Sequence, residues 1–541
     1  MGGKRMTADL ILYNAHVYTV DERQPWAEAV AVQNGRFLAV GSNQDILSLA
    51  GPKTERIDGN GRFVMPGLID AHVHFLQYAI RQQQVSLFGV SDFGEVLRRV
   101  ETAVAHTPPG GWILGWGWDE LHWDAAPTAA HLDAIAPQHP VALARMDLHT
   151  WWVNSAALRL ANITATTPDP PQSKIERDGN GRPSGILREW QAIELVEKWI
   201  PQPDEQTLAQ WLHAAIGDAH RYGLTGIHDQ RVEREGAQSF RLWQGLRRQG
   251  NLRLRVHMNI SSDFINEAAT LGLQPAFGDD RLWIGHVKAF ADGTMGSRTA
   301  YMLAPFEGEP ENTGVIVTPS DELWQLAVTA GTAGFPLSVH AIGDRAVREV
   351  LDVLSERETA DSTHPLPLPH RIEHVQLIHP DDLPRLARHN IVASVQPVHL
   401  LTDWPTADRV WGQRARYAYA FRSLLDQGTS LAFGSDAPVA PLNPWLGIYA
   451  ALTRQDEQGQ PVAGWYAAER LALPEIIHAY TMGPAYMAGK QAVQGSITPG
   501  KWADLIMLPH DLFTLAPTDI PAVAPVLTLF AGEVVYTAPD L

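Results

Sequence analysis

Short apolar runs recur along the middle of the chain, and each is followed by a stretch with helical periodicity. Between them lie helical patterns such as SDELWQLAVTAGTAG. With an opening strand at 62–72, eight strand–helix units of α/β type are predicted, which indicates a closed (β/α)8, TIM-like barrel. The seven later runs are GLTGIHD near residue 223, LRLRVHMNI near 252, LWIGHVKAFADG near 282, FPLSVHAIGD near 335, HRIEHVQLI near 370, NIVASVQPVHL near 390 and TSLAFGSDAPV near 429.

Both ends of the chain have a different pattern, in which hydrophobic and polar residues alternate over short segments. Residues 8–66 contain ADLILYNAHVYTV, AVAVQNGRFLAVG and ERIDGNGRFVMPG, separated by Asn-Gly and Gly-Asn turn signals. This pattern predicts a small antiparallel sheet. The same alternating pattern recurs near the C-terminus, in GSITPGKWADLIMLP and PVLTLFAGEVVYTA. We therefore predict a small β-sandwich domain formed by both termini, residues 1–65 and 489–541, around a barrel at 66–488.

One interval between predicted barrel strands is too long for a single strand–helix unit. Residues 76–205 follow the first strand and include the motifs GWGWDELHW and DLHTWWVNS. Loops of this length carry function or structure of their own, so we predict an inserted subdomain near the barrel mouth. Six tryptophans of this interval are either core residues or substrate contacts: Trp112, Trp116, Trp118, Trp123, Trp151 and Trp152.

The charge balance narrows the class of ligand. The chain has 42 basic and 60 acidic residues and a formal net charge of -18, with no Lys/Arg block. This balance argues against nucleic acid and against an anionic membrane, and favours a small-molecule substrate. No secretory signal and no apolar run of membrane-spanning length are recognised, so a cytoplasmic protein is expected, with a homodimer as one possible assembly.

Chemistry-bearing residues lie at the ends of the predicted barrel strands, where barrels collect their catalytic groups. On one strand His72 and His74 project the same way, because successive side chains alternate between faces. The chain has no cysteine, so a transition metal must be bound by imidazole, carboxylate or another oxygen. The set comprises His72 and His74 on the first strand, Lys288 on the fourth, His340 on the fifth, His374 on the sixth and Asp436 on the eighth.

Lys288 is the one member of this set that is not a usual metal ligand. A lysine buried beside cations has a lowered pKa, and its neutral amine can react with carbon dioxide to give a metal-bridging carbamate. An ion pair with Asp292 is the alternative. Two further candidates are Asp344, which could orient a ligating histidine, and His228, which could lie at the barrel rim.

An ordered series of motifs extends over almost the whole chain: VMPGLIDAHVHF, GWGWDE, DLHTWWVNS, VKAFADGTMGSRTA, LSVHAIGDRAV, RIEHVQ, FGSDAPV and GSITPGKWADLIML. With these motifs the chain resembles the amidohydrolase superfamily of metal-dependent hydrolases. Within it, the resemblance is to the N-substituted formamide deformylase-like branch (amidohydrolase family 3). The resemblance implies a distorted barrel beside a small β-domain, with one or two divalent metals, usually zinc.

The resemblance also assigns roles to individual residues. It implies that His72, His74 and Asp436 hold a first metal, that His340 and His374 hold a second, and that N6-carboxylated Lys288 bridges them. In DLHTWWVNS the chain has Leu148 where the family more often has glycine. His149 of this motif is a candidate donor to the substrate carbonyl, and Asn154 is another polar residue of the same segment.

The expected function is hydrolysis of a carbon–nitrogen bond other than a peptide bond, in an amide, formamide, carbamate or cyclic amide, by metal-activated hydroxide. Asp436 would take a proton from water and pass it to the leaving nitrogen. A one-metal aminopurine or pyrimidine deaminase that uses His72, His74, His340 and Asp436 is an alternative. An ester or lactone hydrolase and a catalytically inactive binding protein are the others.

Overall fold

The computed structural model describes residues 7–120, 123, 125–146, 149–171, 173–230, 237–360 and 365–539, with the backbone alone for 357–360. The chain divides into two compact units, Met1–Phe75 with His213–Leu541 and Leu76–Leu212. Within the described ranges, no helix has both the length and the apolar character needed to cross a membrane.

The N-terminal strands are those of the predicted alternating pattern, but their sheet is not purely antiparallel. Four of them form a sheet in the order β5-β4-β1-β6, in which β1 pairs antiparallel with β4 and parallel with β6. The predicted antiparallel sheet is therefore wrong at β6, because turn signals do not reveal which strands pair. The elements are β1 (Ala8–Tyr13), β2 (His16–Tyr18), β3 (Trp26–Ala27), β4 (Ala29–Gln33), β5 (Arg36–Gly41), α1 (Asn43–Leu47), β6 (Ala50–Asp58) and β7 (Phe63–Pro66).

The opening barrel strand is shorter than predicted. The expected strand at 62–72 divides at Gly67 into β7 and β8 (Leu68–Val73), which belong to different sheets. A Cβ on Gly67 would lie 2.3 Å from Thr225 Oγ1, so the backbone turns between the two sheets where a side chain has no room. His72 lies in β8, and His74 follows its end.

The unit Leu76–Leu212 has its own sheet and apolar core. Its six strands are ordered β13-β14-β12-β11-β10-β9. The indoles of Trp118 and Trp152 are buried in the core, and Trp123 packs against it, so these tryptophans serve packing. The elements are α2 (Phe75–Arg81), β9 (Val85–Ser86), α3 (Phe93–His106), β10 (Ile113–Trp118), α4 (Ala129–Ile135), β11 (Val141–Arg145), β12 (Thr150–Val153), α5 (Ser155–Leu160), β13 (Lys174–Arg177), β14 (Pro183–Arg188) and α6 (Trp190–Glu197).

Eight parallel strands form the central sheet, in the order β21-β20-β19-β18-β17-β16-β15-β8, as the hydrophobic pattern predicts. Beyond β21, Asp436 N–H donates to His72 O at 2.7 Å and His74 N–H donates to Ala437 O at 2.8 Å, which joins the last strand segment to the first. The strands are β15 (Leu224–Asp229), β16 (Arg255–Ser261), β17 (Leu282–Phe290), β18 (Leu337–Ala341), β19 (Arg371–His374), β20 (Val392–Val395) and β21 (Leu431–Phe433).

Helices alternate with these strands, and the chain returns at its end to the N-terminal strands. The antiparallel pair of β22 with β7 places both termini in one sheet, ordered β24-β23-β22-β7-β2-β3. The elements are α7 (Glu205–Arg221), α8 (Gln238–Arg248), α9 (Ile265–Thr270), α10 (Ser320–Thr332), α11 (Asp344–Ala360), α12 (Leu383–Arg388), α13 (Leu400–Trp411), α14 (Phe421–Asp426), α15 (Pro444–Thr453), α16 (Leu473–Ala479), α17 (Met482–Met487), β22 (Leu505–Leu508), β23 (Leu527–Phe530) and β24 (Glu533–Thr537).

The barrel interior contains a line of buried histidines as well as aliphatic side chains. Trp283 Nε1–H donates to His257 Nδ1 at 2.9 Å, and His257 Nε2 lies 3.0 Å from His286 Nδ1. His228 stacks on His257 with ring centroids 4.4 Å apart. Burial lowers the pKa of each of these imidazoles well below its ordinary value, so they are neutral. His228 is thus an interior residue, and its predicted place at the rim is wrong.

Candidate active site

The first histidine of the HxH motif is fixed by a buried carboxylate. His72 Nδ1 lies 2.6 Å from Glu373 Oε2, and both side chains are buried. Burial alone would raise the pKa of Glu373, but the charge of Arg371 and the contact with His72 hold that pKa well below its usual value. An ionised carboxylate can accept but not donate, so the His72 proton lies on Nδ1. The lone pair of Nε2 is therefore available to a ligand.

The second histidine of the motif is fixed in the same tautomer by a backbone group. His74 Nδ1 lies 2.5 Å from the carbonyl oxygen of Gln230, which follows β15. A carbonyl oxygen only accepts hydrogen bonds, so Nδ1 carries the proton and Nε2 presents a lone pair. Strand pairing between β15 and β8 holds this carbonyl next to the motif.

The carboxylate of Asp436 meets both imidazoles. Asp436 Oδ1 lies 3.3 Å from His72 Nε2 and 3.1 Å from His74 Nε2. Since both Nε2 atoms present lone pairs, three electron-rich atoms converge on one point. Such an arrangement is repulsive unless a cation lies between the atoms.

His374 completes this cluster. Ligand atoms of His72, His374 and Asp436 all lie within 4.8 Å of one another. His374 and Asp436 both have left-handed backbones, with φ of 72° and 60°. Such strain in non-glycine residues persists where the surrounding structure imposes it, and it gathers at functional sites. At the end of β19 this conformation lets Glu373 and His374, which are neighbours in the chain, both contribute to the site.

His340 and Lys288 lie next to this cluster. The imidazole centroids of His340 and His374 are 4.5 Å apart. His340 Nε2 lies 3.0 Å from the carbonyl oxygen of Gly293, so Nε2 carries the proton and the Nδ1 lone pair is available. Burial, then the nearby charge of Lys288, lowers the pKa of His340 to about 3. Both imidazoles are neutral, since burial also lowers the pKa of His374 well below its usual value.

Lys288 is buried in β17, and its amine has no hydrogen-bond partner in the part of the chain that the structure describes. Burial lowers its pKa to about 8. The alternative ion pair with Asp292 is wrong, because that carboxylate accepts the backbone N–H groups of Tyr301, Ile342 and Gly343. Asp344, the expected support for a ligating histidine, likewise accepts a backbone N–H, that of Leu303.

A polar network below the cluster was not predicted. Arg371 pairs with Glu373 and donates to Ala71 O at 2.6 Å, and Ser338 Oγ donates to Glu373 Oε1 at 2.7 Å. The motif RIEHVQ contains the signal: Arg371 and Glu373 are two residues apart and so share a face of the strand. Sequence reasoning also missed His399, the next-to-last residue of the run NIVASVQPVHL, whose Nε2 lies 3.7 Å from Asp436 Oδ2.

We predict that Glu373→Gln weakens zinc binding about 10- to 100-fold, because a neutral amide no longer polarises the imidazole of His72. Competition with a chromogenic chelator measures this affinity. Ser338→Ala is the matched control, since it removes a hydrogen bond to Oε1 and keeps the contact of Oε2 with His72. Equal affinities of wild type and Glu373→Gln would show that the carboxylate does not support the ligand.

His149, predicted as a catalytic donor, lies in the unit Leu76–Leu212. Its Nδ1 is 2.9 Å from Glu189 Oε2, and its catalytic role stays a prediction. Asn154 is structural: it caps α5 through Ala157 N–H and donates to the carbonyl oxygens of Ala136 and His139. Leu148, which departs from the family pattern, lies outside the described residues.

The donor set fits a divalent cation. The side chains offer imidazole and carboxylate lone pairs, which suit zinc and other first-row metals. In the described residues two buried nitrogens of this set, His72 Nε2 and Lys288 Nζ, have no hydrogen-bond partner. Leaving a buried polar atom without a partner costs about 1–3 kcal/mol, and a bound ion would give His72 Nε2 the partner that it lacks.

Three comparisons relate the chain to known proteins. The model of the Amidohydrolase family matches residues 55–536. Protein LONG AFTER FAR-RED 3 of Arabidopsis thaliana is 32% identical over 98% of this chain and 92% of its own length. N-substituted formamide deformylase of Arthrobacter pascens is 30% identical over 93% of this chain and 94% of its own length.

A solved structure is similar over nearly the same span. The crystal structure of an uncharacterized metal-dependent hydrolase from Pyrococcus horikoshii OT3 has a TM-score of 0.77 and 27% identity, covering 94% of this chain and 99% of its own. The barrel, the convergent His and Asp ligand atoms and the family match agree with one another. The chain therefore belongs to the amidohydrolase family.

Proposed function

We propose that this protein is a metal-dependent hydrolase that cleaves a non-peptide carbon–nitrogen bond in an amide, formamide, carbamate or cyclic amide. The observation that carries the proposal is the convergence of His72 Nε2, His74 Nε2 and Asp436 Oδ1, three atoms whose lone pairs a cation between them would stabilise. The similarity to an N-substituted formamide deformylase supports this choice of bond.

In this proposal His72, His74 and Asp436 would hold a first divalent cation, with zinc the expected ion. His374 and the Nδ1 atom of His340 would hold a second, and Lys288, once N6-carboxylated, would contribute an oxygen to each. When bound, a divalent cation supplies Lewis-acid chemistry, which polarises an acyl oxygen and lowers the pKa of water from about 16 towards 7.

The carboxylate of Asp436 moves the proton. Beside a divalent cation it would be ionised and ready to accept the proton of the attacking water. The leaving nitrogen then takes this proton as the carbon–nitrogen bond breaks, since an unprotonated amide anion leaves poorly. General acid–base transfer of this kind contributes about 10²- to 10⁴-fold to rate.

The amine of Lys288 is proposed to react with carbon dioxide. With a pKa of about 8 it has a substantial neutral fraction near pH 7.5, and the neutral amine is the form that reacts. Formation of the carbamate releases one proton and leaves an anion with two oxygens. That anion would neutralise cation charge in the buried site and would give the Lys288 side chain polar contacts that its amine lacks among the described residues.

Metal removal and a substrate panel test the proposal. We expect a chelator to abolish hydrolysis of a member of a panel of N-formyl, N-acyl, carbamate and cyclic amide compounds, and zinc or manganese to restore it. Aminopurines, esters and lactones belong in the same panel. Release of ammonia from an aminopurine by protein with one ion per chain would establish the deaminase alternative. Metal-loaded protein that turns over no compound would favour a binding role.

We also propose that the residue ranges 1–65 and 489–541 form one small β-sandwich beside the barrel of 66–488, with an insertion at about 76–205. The shared sheet of β7 and β22 supports the first part. A core cluster that contains Leu10, Val30, Val64, Leu505 and Leu529 supports it further, because its members come from both ends of the chain.

A further inference from the structure

His399 has a fixed place beside the cluster. It ends the short helical turn Pro397–His399 that follows β20, and α13 begins at the next residue. The side chain is 14% exposed, and its ring lies parallel to that of His374, with 6.2 Å between centroids and 19° between planes. His399 Nε2 is 3.7 Å from Asp436 Oδ2.

The two oxygens of Asp436 have different neighbours. Oδ1 lies within 3.3 Å of His72 Nε2 and His74 Nε2, whereas Oδ2 is the atom that approaches His399. A separation of 3.7 Å is too long for a hydrogen bond. His399 Nε2 is nevertheless buried and has no hydrogen-bond partner in the described ranges. An atom about 3 Å from both Asp436 Oδ2 and His399 Nε2 would satisfy both groups.

The segment that carries His399 is anchored on the same side of the barrel. Asp403, one turn further along, accepts hydrogen bonds from Tyr419 Oη at 2.5 Å and from Gln376 Nε2 at 2.6 Å. Gln376 is itself two residues beyond His374. The imidazole is therefore held in position relative to both His374 and Asp436, as preorganised catalytic groups are.

We infer that His399 is a further catalytic residue, which accepts a hydrogen bond from the N–H of the scissile amide. The inference rests on the proposed function. Water adds its oxygen to the acyl carbon, Asp436 takes one proton from it, and the nitrogen receives that proton as the carbon–nitrogen bond breaks. The contact N–H···Nε2 of His399 turns the nitrogen lone pair towards the proton on Asp436 Oδ2. The products are a carboxylic acid and an amine, so all atoms balance.

This role makes His399 specific to leaving groups that have an N–H. An ester oxygen has no hydrogen to donate, so His399 gives no assistance in ester hydrolysis. A residue with a purely structural role would affect both reactions equally. A metal ligand would reveal itself through loss of bound metal.

The test compares a secondary amide with the ester of the same acyl group, using metal-reconstituted full-length protein. We expect His399→Ala to lower kcat for the amide about 10- to 100-fold, the value of one directed hydrogen bond, and to change the ester rate less than about threefold. We expect His399→Gln, which keeps an acceptor oxygen, to recover part of the amide rate. Metal content should equal that of the wild type.

His106→Gln is the control for loss of an imidazole, since His106 is exposed at the end of α3. Equal losses on amide and ester, an unchanged amide rate, or loss of metal in His399→Ala would each overturn the inference. A wild-type protein that cleaves no amide would instead overturn the proposed function, and so the two failures are distinguishable.

Discussion

Asp436→Asn is expected to lower kcat by about 10³-fold or more, even when excess metal restores full occupancy. The asparagine oxygen remains a potential ligand, but the side chain cannot accept a proton from water or deliver one to the leaving nitrogen. Metal binding should weaken as well, because the only carboxylate of the predicted ligand set becomes neutral. Turnover and metal content measured on the same preparations separate the two effects.

The matched control is Asp426→Asn, a carboxylate at the end of α14 that is paired with Arg422 at the surface. Its loss should leave both turnover and metal content within about twofold of the wild type, because exposed ion pairs contribute little. If Asp436→Asn retained turnover within tenfold of the wild type at full metal occupancy, the proton would have to move by another group.

Lys288→Met is expected to have opposite effects on activity and on stability. Turnover should fall at least about 100-fold, since methionine cannot form the carbamate that we propose for Lys288. The free energy of unfolding of the metal-free protein should rise by about 1–3 kcal/mol, because a buried amine that has no hydrogen bond within the described residues is replaced by an apolar side chain of similar length. Denaturant titration of chelated protein measures the second effect.

Lys501→Met is a close control for stability. Burial lowers the pKa of Lys501 to about 8 as well, but its ammonium donates to Gln494 O at 2.9 Å. Replacing Lys501 by methionine leaves the carbonyl oxygen of Gln494 without this donor, so we expect the free energy of unfolding to fall. Equal destabilisation of the metal-free protein by both methionine variants would contradict this expectation. It would show that the amine of Lys288 stabilises the fold, as that of Lys501 does.

The barrel could be predicted because its signal is periodic and local. Each buried parallel strand is a short apolar run between polar segments, so eight runs gave eight strands. The division of 62–72 at Gly67 could not be seen in the same way, because its two halves pair with different strands far along the chain, β7 with β22 and β8 with β15. The parallel pairing of β1 with β6 escaped prediction for a related reason, since alternation shows a strand but not its partner.

The candidate ligands could be proposed from the sequence because chemistry-bearing residues lie at or near the C-terminal ends of five of the eight strands. The hydrogen-bond partners that orient these ligands were harder to predict. The contact of Glu373 with His72, for example, forms only when the barrel brings two distant strands together. Tautomers follow from those partners, so sequence alone could not tell which imidazole nitrogen faces the cation. A histidine near a strand end need not belong to the site: the ring of His228 stacks on His257 inside the barrel.

The most direct test of the account is anomalous diffraction from crystals of the zinc-reconstituted protein, with metal content measured on the same preparation. The account predicts one or two ions per chain, the first within about 2.0–2.2 Å of His72 Nε2, His74 Nε2 and a carboxylate oxygen of Asp436. A second ion would lie against His374 and the Nδ1 atom of His340. Folded protein that binds no divalent ion, or binds one away from these side chains, would contradict the central claim.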